Sequence, residues 1–557
     1  MSNIYRYIFY ILLTVSINSI LSSKDFIHIT NSAYSETDPE LIINPTNSNN
    51  LISSSLQHKY TYGKDNFINA ISYSFDKGYT WQRYQQEVLP NEDYRLLIDA
   101  RDNKLHYSSN GVAHLAWINT LVKTGFGGID SIIQVINYKY SEDGGVNWID
   151  NNLNYGRVKS NYDVTKEFNG LKQRFYNLKI FEYNLNTYIS YSLHNVQNNL
   201  QDKIVLFNVN TPQNKIYIPI PDSLDYLGNY DIKIKNNKVH IAFLTTRYYL
   251  SLEYFQFDLV DKVIFNHQRI AYVNFSGTTL LPGVVSFLLP GIAPERVNPN
   301  PLVNFIDNEV LISWYGNEYS SENRFRIQKN NIYISKSQNG IFKNIQKVYS
   351  DTLNHQVLYD LRVNNNNIIA INFHSLEGPF ENLNYNLSMS FIISLDGANS
   401  FTKPFTYSKK YELLHTTKKN FNYGIGYKNK FAIDDSHIYL SWVDGSELNG
   451  NTDISYSVFP LNFNENYDFS KDFKISSVYP NPFEEDLKIN IFNNELQKIY
   501  VDLYDINGKY INRIFEDIVV YGENILQCNI SNIAGGDYFI ICKSDNNIIY
   551  QKILKIK

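Results

Sequence analysis

The feature that most constrains this chain is a short pattern that returns along most of its length. Alternating apolar residues lead to a small residue and then to an aromatic one. The pattern ends at Trp117 in VAHLAW, Tyr191 in TYISY, Phe243 in VHIAF, Trp314 in VLISW, Phe373 in IIAINF and Trp442 in IYLSW. A weaker first copy, LISSSL, ends at Leu56. Strand-like runs precede the copies (PELIIN, LLIDAR, YNLKIFEYN, YDIKIKN, LVNFID, YDLRVN, KFAIDD). Further alternating runs follow them (NAISYS, IQVINYKYS, IVLFNV, LEYFQFDL, NIYISKS, MSFIISL, DISYSVF). Alternation at period two, broken by Gly, Asn and Asp, marks short antiparallel strands.

The copies recur at a mean spacing of about 64 residues, a little above the usual range for propeller blades. The expected fold is all-β, a β-propeller of seven blades over residues 24–459, with six or eight left open because terminal units are atypical. The last copy lacks an outer strand. The run FIHIT, Phe26 to Thr30, is inferred to supply it and to close the ring, since closure removes open edges.

The first 23 residues, MSNIYRYIFYILLTVSINSILSS, read as a signal peptide. Arg6 gives the positive start, Tyr7 to Leu21 the apolar run, and Ser22 and Ser23 the small residues for cleavage. No later stretch is long and apolar enough to span a bilayer, so the mature chain is expected to have no transmembrane span. The charge is spread out, with 50 basic and 55 acidic residues and no Lys/Arg block, which argues against nucleic acid as a partner. Cys528 and Cys542 are the two cysteines. In an exported protein they fit a disulfide or two small buried hydrophobes, and neither reading gives a metal site. No metal and no cofactor is expected.

A second motif sits at the end of the third run of a repeat. SFDKGYTW spans Ser74, Asp76, Gly78 and Trp81, SEDGGVNW spans Ser141, Asp143, Gly145 and Trp148, and SLDGANSF spans Ser394, Asp396 and Phe401. SKSQNGIF, Ser335 to Phe342, reads as a worn copy with Ser337 in the Asp place. The offsets suit a hairpin turn: Asp accepts backbone N–H bonds, hydroxyls add local bonds, and Gly takes positive φ. The role read for these residues is structural. Together they resemble the Asp-box, or BNR repeat, of sialidase-like propellers, over Ser35 to Phe459. The sixth copy departs from it with Ala398 for Gly, and the second with Asn147 for Thr. In that family the box lies away from the active face.

Sialidases also use three Arg, a Tyr with a Glu partner, and an Asp. Here no Arg lies between Ser23 and Ser74, the first mature Arg is Arg83, and FRIQ at Phe325 to Gln328 lacks the family's Pro. No catalytic residue is therefore assigned. Asp38, Glu40, Asp444 and Glu447 read as solvated loop acids, and Arg95, Arg101 and Arg247 as strand-end cations that could line a propeller face. Trp117, Trp314 and Trp442 on inner strands, with Trp81 and Trp148, read as core packing. The propeller is expected to bind a glycan or protein at the cell surface or outside. The alternative is a sialidase-like glycoside hydrolase or a related lyase.

After Phe459 the composition changes. Residues 460–473 read as a linker and 474–557 as a small β-sandwich, with Asn507-Gly508 marking a hairpin. Tyr479-Pro480-Asn481-Pro482-Phe483, Leu503 to Lys509, Gly536-Asp537-Tyr538-Phe539 and the basic end Lys552 to Lys557 resemble the C-terminal sorting domain (type A) of type IX secretion substrates. The resemblance implies the type IX machinery as a partner and a route through the periplasm to the outer surface or beyond.

Overall fold

The computed structural model describes residues 27–30, 35–61, 64–84, 99–125, 128–150, 155–161, 173–195, 202–221, 229–245, 251–273, 278–281, 284–287, 300–316, 330–349, 354–377, 386–408, 410–412, 430–445, 452–461, 473–493, 496–520, 522–544 and 548–556. The signal-peptide residues, Arg95, Arg247, Glu447, the FRIQ segment and most of the expected linker lie outside them.

The described elements are all strands, so the chain is all-β. Up to Pro460 they form antiparallel sheets: one of nine strands from Glu36–Asn44 to Tyr155–Asn161, its two halves labelled units 1 and 2, then sheets of four or five strands labelled units 3 to 7, with Thr278–Leu281 and Val284–Phe287 as a separate two-stranded pair. The first strands are Glu36–Asn44, Asp99–Tyr107, Gln173–Tyr183, Tyr230–Lys235, Leu302–Ile306, Asn354–Val363 and Phe431–Ile433. The second strands are Asn47–Thr61, Ala113–Gly125, Asn186–Asn195, Lys238–Thr245, Glu309–Gly316, Ile369–Glu377 and His437–Asp444. These second strands carry the repeated small-plus-aromatic pattern. The third strands run from Lys64–Ser74 in unit 1 to Asp453–Pro460 in unit 7. Units 1 and 2 are also linked by one parallel pair, Phe67 with Asp99.

Unit 7 takes its outer strand from the other end of the chain. Ile27 pairs with Tyr456 and His28 with Ser455, and the Ile29 N–H donates to the Ile454 carbonyl at 2.7 Å. First strands lie against first strands in chain order, 1 on 2, 2 on 3 and so on to 6 on 7, and that of unit 7 lies against that of unit 1. Apolar cores fill the spaces between neighbouring units. One joins units 1 and 2 through Ile52, Ile71, Leu115 and Trp117. Another joins units 3 and 4 through Phe181, Leu206, Tyr230 and Phe243.

Register explains the repeat. Each small residue sits opposite one position of the first strand: Ser54 opposite Glu40, Ala116 opposite Lys104, Ser190 opposite Lys179, Ala242 opposite Asp231, Ser313 opposite Leu302 and Asn372 opposite Asp360. In unit 7 the Ser441 hydroxyl bonds the Lys430 carbonyl. Side chains alternate along a strand, so the next residue, an aromatic, faces the other side and fills a core. Trp117, Phe243, Trp314 and Trp442 are all buried there. In unit 1 this register puts Ser55, not Leu56, in the aromatic place. The Ser55 hydroxyl bonds the buried Glu36 carboxylate instead, which is why the first copy looks weak in sequence.

The last seven strands form two facing sheets. Lys474–Tyr479, Asp486–Asn493 and Gly522–Asn529 make one; Tyr510–Val519, Gln497–Asp505, Gly536–Lys543 and Ile548–Lys555 make the other. Leu487, Ile489, Ile499, Val501, Leu503 and Ile540 are buried between them. Cys528 and Cys542 are unpaired and buried in this core, where burial pushes both thiols up to about 12. They act as small apolar side chains.

Ile29 anchors the N-terminal strand in the largest core. Ile29→Ala is expected to cost about 2–4 kcal/mol in chemical denaturation. Leu185→Ala, at a turn position 83% exposed, is expected to cost under about 0.5 kcal/mol.

Candidate functional site: the charged face of the first strands

In an antiparallel meander the 1–2 and 3–4 turns share one end, and the 2–3 turns and unit-to-unit links share the other. The three box motifs are 3–4 turns. They therefore lie at the same end as the 1–2 turns, such as Asn184-Leu185 and Asn236-Asn237.

Each box is bonded in the same way. The Ser74 hydroxyl donates to Asp76 at 2.7 Å and accepts from the Gly78 N–H at 2.9 Å, and the Thr80 N–H donates to Asp76 at 2.9 Å. Ser141, Asp143, Gly145 and Asn147 repeat these bonds. So do Ser394, Asp396, Ala398 and Ser400. Hydrogen bonds from Ser400 and Ser394 hold the Asp396 carboxyl down at about 2. Phe401 is partly buried and packs on the core at the end of its turn.

Each box also leans on the preceding unit. Trp81 packs edge-on against Tyr456 of unit 7 at 5.5 Å, and the Tyr456 hydroxyl donates to the Lys77 carbonyl at 2.7 Å. Asn50 of unit 1 donates to the Gly144 carbonyl at 3.0 Å, and Lys336 of unit 5 to the Gly397 carbonyl at 3.4 Å. In the second box, Trp148 turns its indole N–H back to the Gly145 carbonyl. The worn copy is built differently. Ser337 pairs with Phe342 in a two-residue hairpin at Asn339-Gly340, and its hydroxyl bonds Glu309.

The charged site lies on the first strands. Asp38, Asp102, Asn177 and Leu358 have positive φ, and each lies at a register shift two residues before a charged residue, Glu40, Lys104, Lys179 or Asp360. A bulge of this kind re-aims the side chain that follows it. The charges then pair across unit boundaries. Lys104 of unit 2 reaches Glu40 of unit 1 at 2.7 Å. Lys179 of unit 3 reaches Asp231 of unit 4 at 3.2 Å. Lys430 of unit 7 reaches Asp360 of unit 6, which also accepts from Arg362 Nε at 2.9 Å. Burial alone would raise the Asp231 and Asp360 carboxyls. The cations beside them outweigh it, with Lys179 and Lys233 acting on Asp231, and Arg362 and Lys430 on Asp360, so both are held below the usual range.

This corrects the sequence reading at two acids. Asp38 and Glu40 are buried in the first strand rather than solvated in a loop, because the strand begins at Glu36, ahead of PELIIN. Asp444 ends a second strand near the Ser455 hydroxyl. Arg101 lies in a first strand, and its side chain is outside the described residues. Lys104, Lys179, Asp231, Lys233, Asp360, Arg362 and Lys430 were not singled out in sequence. For Asp231, Lys233, Asp360 and Arg362 the signal was the matching pair Tyr-Asp-Ile-Lys at 230–233 and Tyr-Asp-Leu-Arg at 359–362.

In the C-terminal sandwich the quoted motif residues also gather. Tyr479-Pro480 and Asn481-Pro482 are cis peptides. The Asn481 side chain accepts from the Leu554 N–H at 2.8 Å, and Phe483 exchanges backbone bonds with Leu554 and Ile556, so this segment clips the last strand. Asp505 accepts from the Asn507 and Lys509 N–H groups, and Gly508 takes φ 80°, forming the hairpin turn. The Tyr538 hydroxyl bonds the Ala534 carbonyl ahead of Gly536. Lys555 of the basic end is buried and donates to the Ile530 and Ser531 carbonyls.

Four predictions follow from these contacts. Asp76→Ala removes the acceptor that organises its turn and is expected to cost about 1–3 kcal/mol in denaturation. Ala398 holds φ 75°, so Ala398→Gly is expected to stabilise by about 0.5–1 kcal/mol. A Cβ at Gly78 would collide with the Tyr456 ring, so Gly78→Ala is expected to destabilise. The fourth concerns pH. Burial pulls His114, His240 and His374 down to about 4 and, with His114 and the nearby cations, His106 to about 3. The unfolded chain takes up these protons near pH 6.5 and the folded chain does not, so stability is full above that pH and is lost towards pH 4. The melting temperature is expected to fall over that window, and His114→Gln to flatten the fall.

Residues 477–557 match the family described as the secretion system C-terminal sorting domain. No curated protein matches the chain. Among solved structures, a Dyadobacter fermentans protein of unknown function is similar at 12% identity, with 78% of this chain and 96% of that one covered and a TM-score of 0.39. A mutant NanB sialidase from Streptococcus pneumoniae is similar at 9% identity, over 64% of this chain and 68% of that one, with a TM-score of 0.38. A polysaccharide lyase of family PL25, an ulvan lyase, is similar at 9% identity, over 78% and 95%, with a TM-score of 0.42. The C-terminal segment is a type IX sorting domain, and the chain that carries it is exported to the cell surface or outside.

Proposed function

We propose that residues 24–459 form a seven-bladed Asp-box propeller that binds a glycan or protein outside the cell. In this reading residues 1–23 are a signal peptide, 460–473 a linker, and 474–557 the sorting domain that delivers the propeller. The ring is supported by the first strands, each lying against the next with unit 7 against unit 1, and by the N-terminal strand that completes unit 7. The box turns support it too, since each leans on the unit before it and the first leans on unit 7.

One observation carries binding over hydrolysis. Glu40, Asp231 and Asp360, the carboxylates on the shared face, are each committed to a lysine of a neighbouring unit. Asp231 and Asp360 are held ionised, whereas a glycosidase acid must hold a proton near neutral pH. An arginine trio of the sialidase kind is not assembled there among the described residues. Arg362 is on this face, but Arg83 is held by Glu36 and Arg269 by Glu253.

The test is the purified full-length chain against fluorogenic glycosides, a sialoside included, and against a glycan array. The expected result is retention on the array without turnover. Turnover that is lost in Asp360→Asn and kept in Asp76→Ala would overturn the binding reading.

A further inference from the structure

We propose that the shared face of the first strands holds one anionic group, a carboxylate or a sulfate-like oxyanion, between Lys233 and Arg362. Lys233 lies two residues beyond Asp231, and Arg362 two beyond Asp360, so both project from the same face as the paired charges. His106 occupies the same level in unit 2, two residues beyond Lys104. The other units place Ile42, Phe181, Asn304 and Ala432 there, none of them an acid.

The carboxylates one level away are already engaged. Glu40 is taken by Lys104, Asp231 by Lys179 and the Val303 N–H, and Asp360 by Lys430 and Arg362 Nε. Asp102, nearby, accepts from the Asn177 N–H. Among the described residues Lys233 has no carboxylate within ion-pair distance. Arg362 spends only its Nε on Asp360, and its side chain stays 35% accessible, so its outer amines remain available. His106 Nε2 is buried without a hydrogen-bond partner.

The face carries more cations than carboxylates: Lys104, Lys179, Lys233, Arg362 and Lys430 stand against Glu40, Asp231 and Asp360, and Lys233 is left without an ion-pair partner of its own. Burial pulls the Lys233 ammonium below its usual range; Asp231 and Asp360 oppose that shift, and the Arg362 and Lys179 charges add to it. An oxyanion would answer both cations. The guanidinium edge can grip two oxygens, the ammonium can bond a third of a sulfate-like group or share one of a carboxylate, and a neutral His106 can donate from Nε2.

This inference rests on the binding reading of the same face and names its ligand class. The test is calorimetric titration of the full-length chain with sodium sulfate and, separately, with sodium glucuronate, at constant ionic strength. The expected result is saturable binding of one equivalent of at least one probe. Lys233→Met and Arg362→Gln should each weaken it at least tenfold, while Lys233→Arg and the exposed Lys403→Met stay within about threefold of the parent. Sulfate alone would assign a tetrahedral oxyanion, glucuronate alone a carboxylate. No saturable binding by the unmodified chain, or binding unchanged in Lys233→Met and Arg362→Gln, would overturn the proposal. Retention on the glycan array in that case would leave the binding reading standing without this site.

Discussion

The architecture depends on ion pairs that cross from one unit to the next on the first strands. Lys104 holds Glu40, Lys179 holds Asp231 and Lys430 holds Asp360, joining units 1 with 2, 3 with 4, and 6 with 7. Glu40 and Asp360 are almost fully buried. Two buried charges lose much of their hydration, so such a pair adds little net stability. Separating the partners is what costs heavily. The pairs therefore act as selectors of neighbours: a unit placed beside the wrong partner would bury a bare charge. The bulk of the stability comes from the apolar cores between units, such as the one around Phe243 and Phe255.

The repeat in sequence is the other half of the same arrangement. A small residue on the second strand leaves space behind the charged position of the first strand, and the aromatic that follows fills the opposite face. Where the aromatic is missing, at Ser55, a polar group takes over: Glu36 is bonded by Ser55, Gln57 and Arg83. That cluster sits where the chain closes on itself, since Thr452 of unit 7 donates to the Glu36 carbonyl at 2.8 Å.

Much of the fold was legible because strand alternation is a local signal. The pattern copies fall on strands, the motifs at Ser74, Ser141 and Ser394 fall on turns, and Ile27–His28 within FIHIT pairs with Asp453–Pro460. The charged site was less legible. Asp38 and Glu40 read as loop acids because a bulge breaks the alternation just before Glu40, and a bulge has no reliable mark in one sequence. Lys104 and Lys430 gave no signal at all, because the pairing that gives them meaning joins residues 64 and 70 positions apart in the chain. In the sorting domain, Asn481 meets Leu554 across 73 positions, yet its flanking prolines made it visible.

The most direct measurement is a double-mutant cycle on Lys430 and Asp360, using Lys430→Met, Asp360→Asn and the double variant in chemical denaturation. Lys430→Met leaves Asp360 with Arg362 alone, Asp360→Asn leaves the buried Lys430 without its carboxylate, and the double change removes both members of the pair. The account predicts that the double variant is more stable than the sum of the single losses implies, by at least about 1–2 kcal/mol. Losses that add to within about 0.5 kcal/mol would mean that the two side chains act independently, and would contradict the view that these pairs join the units.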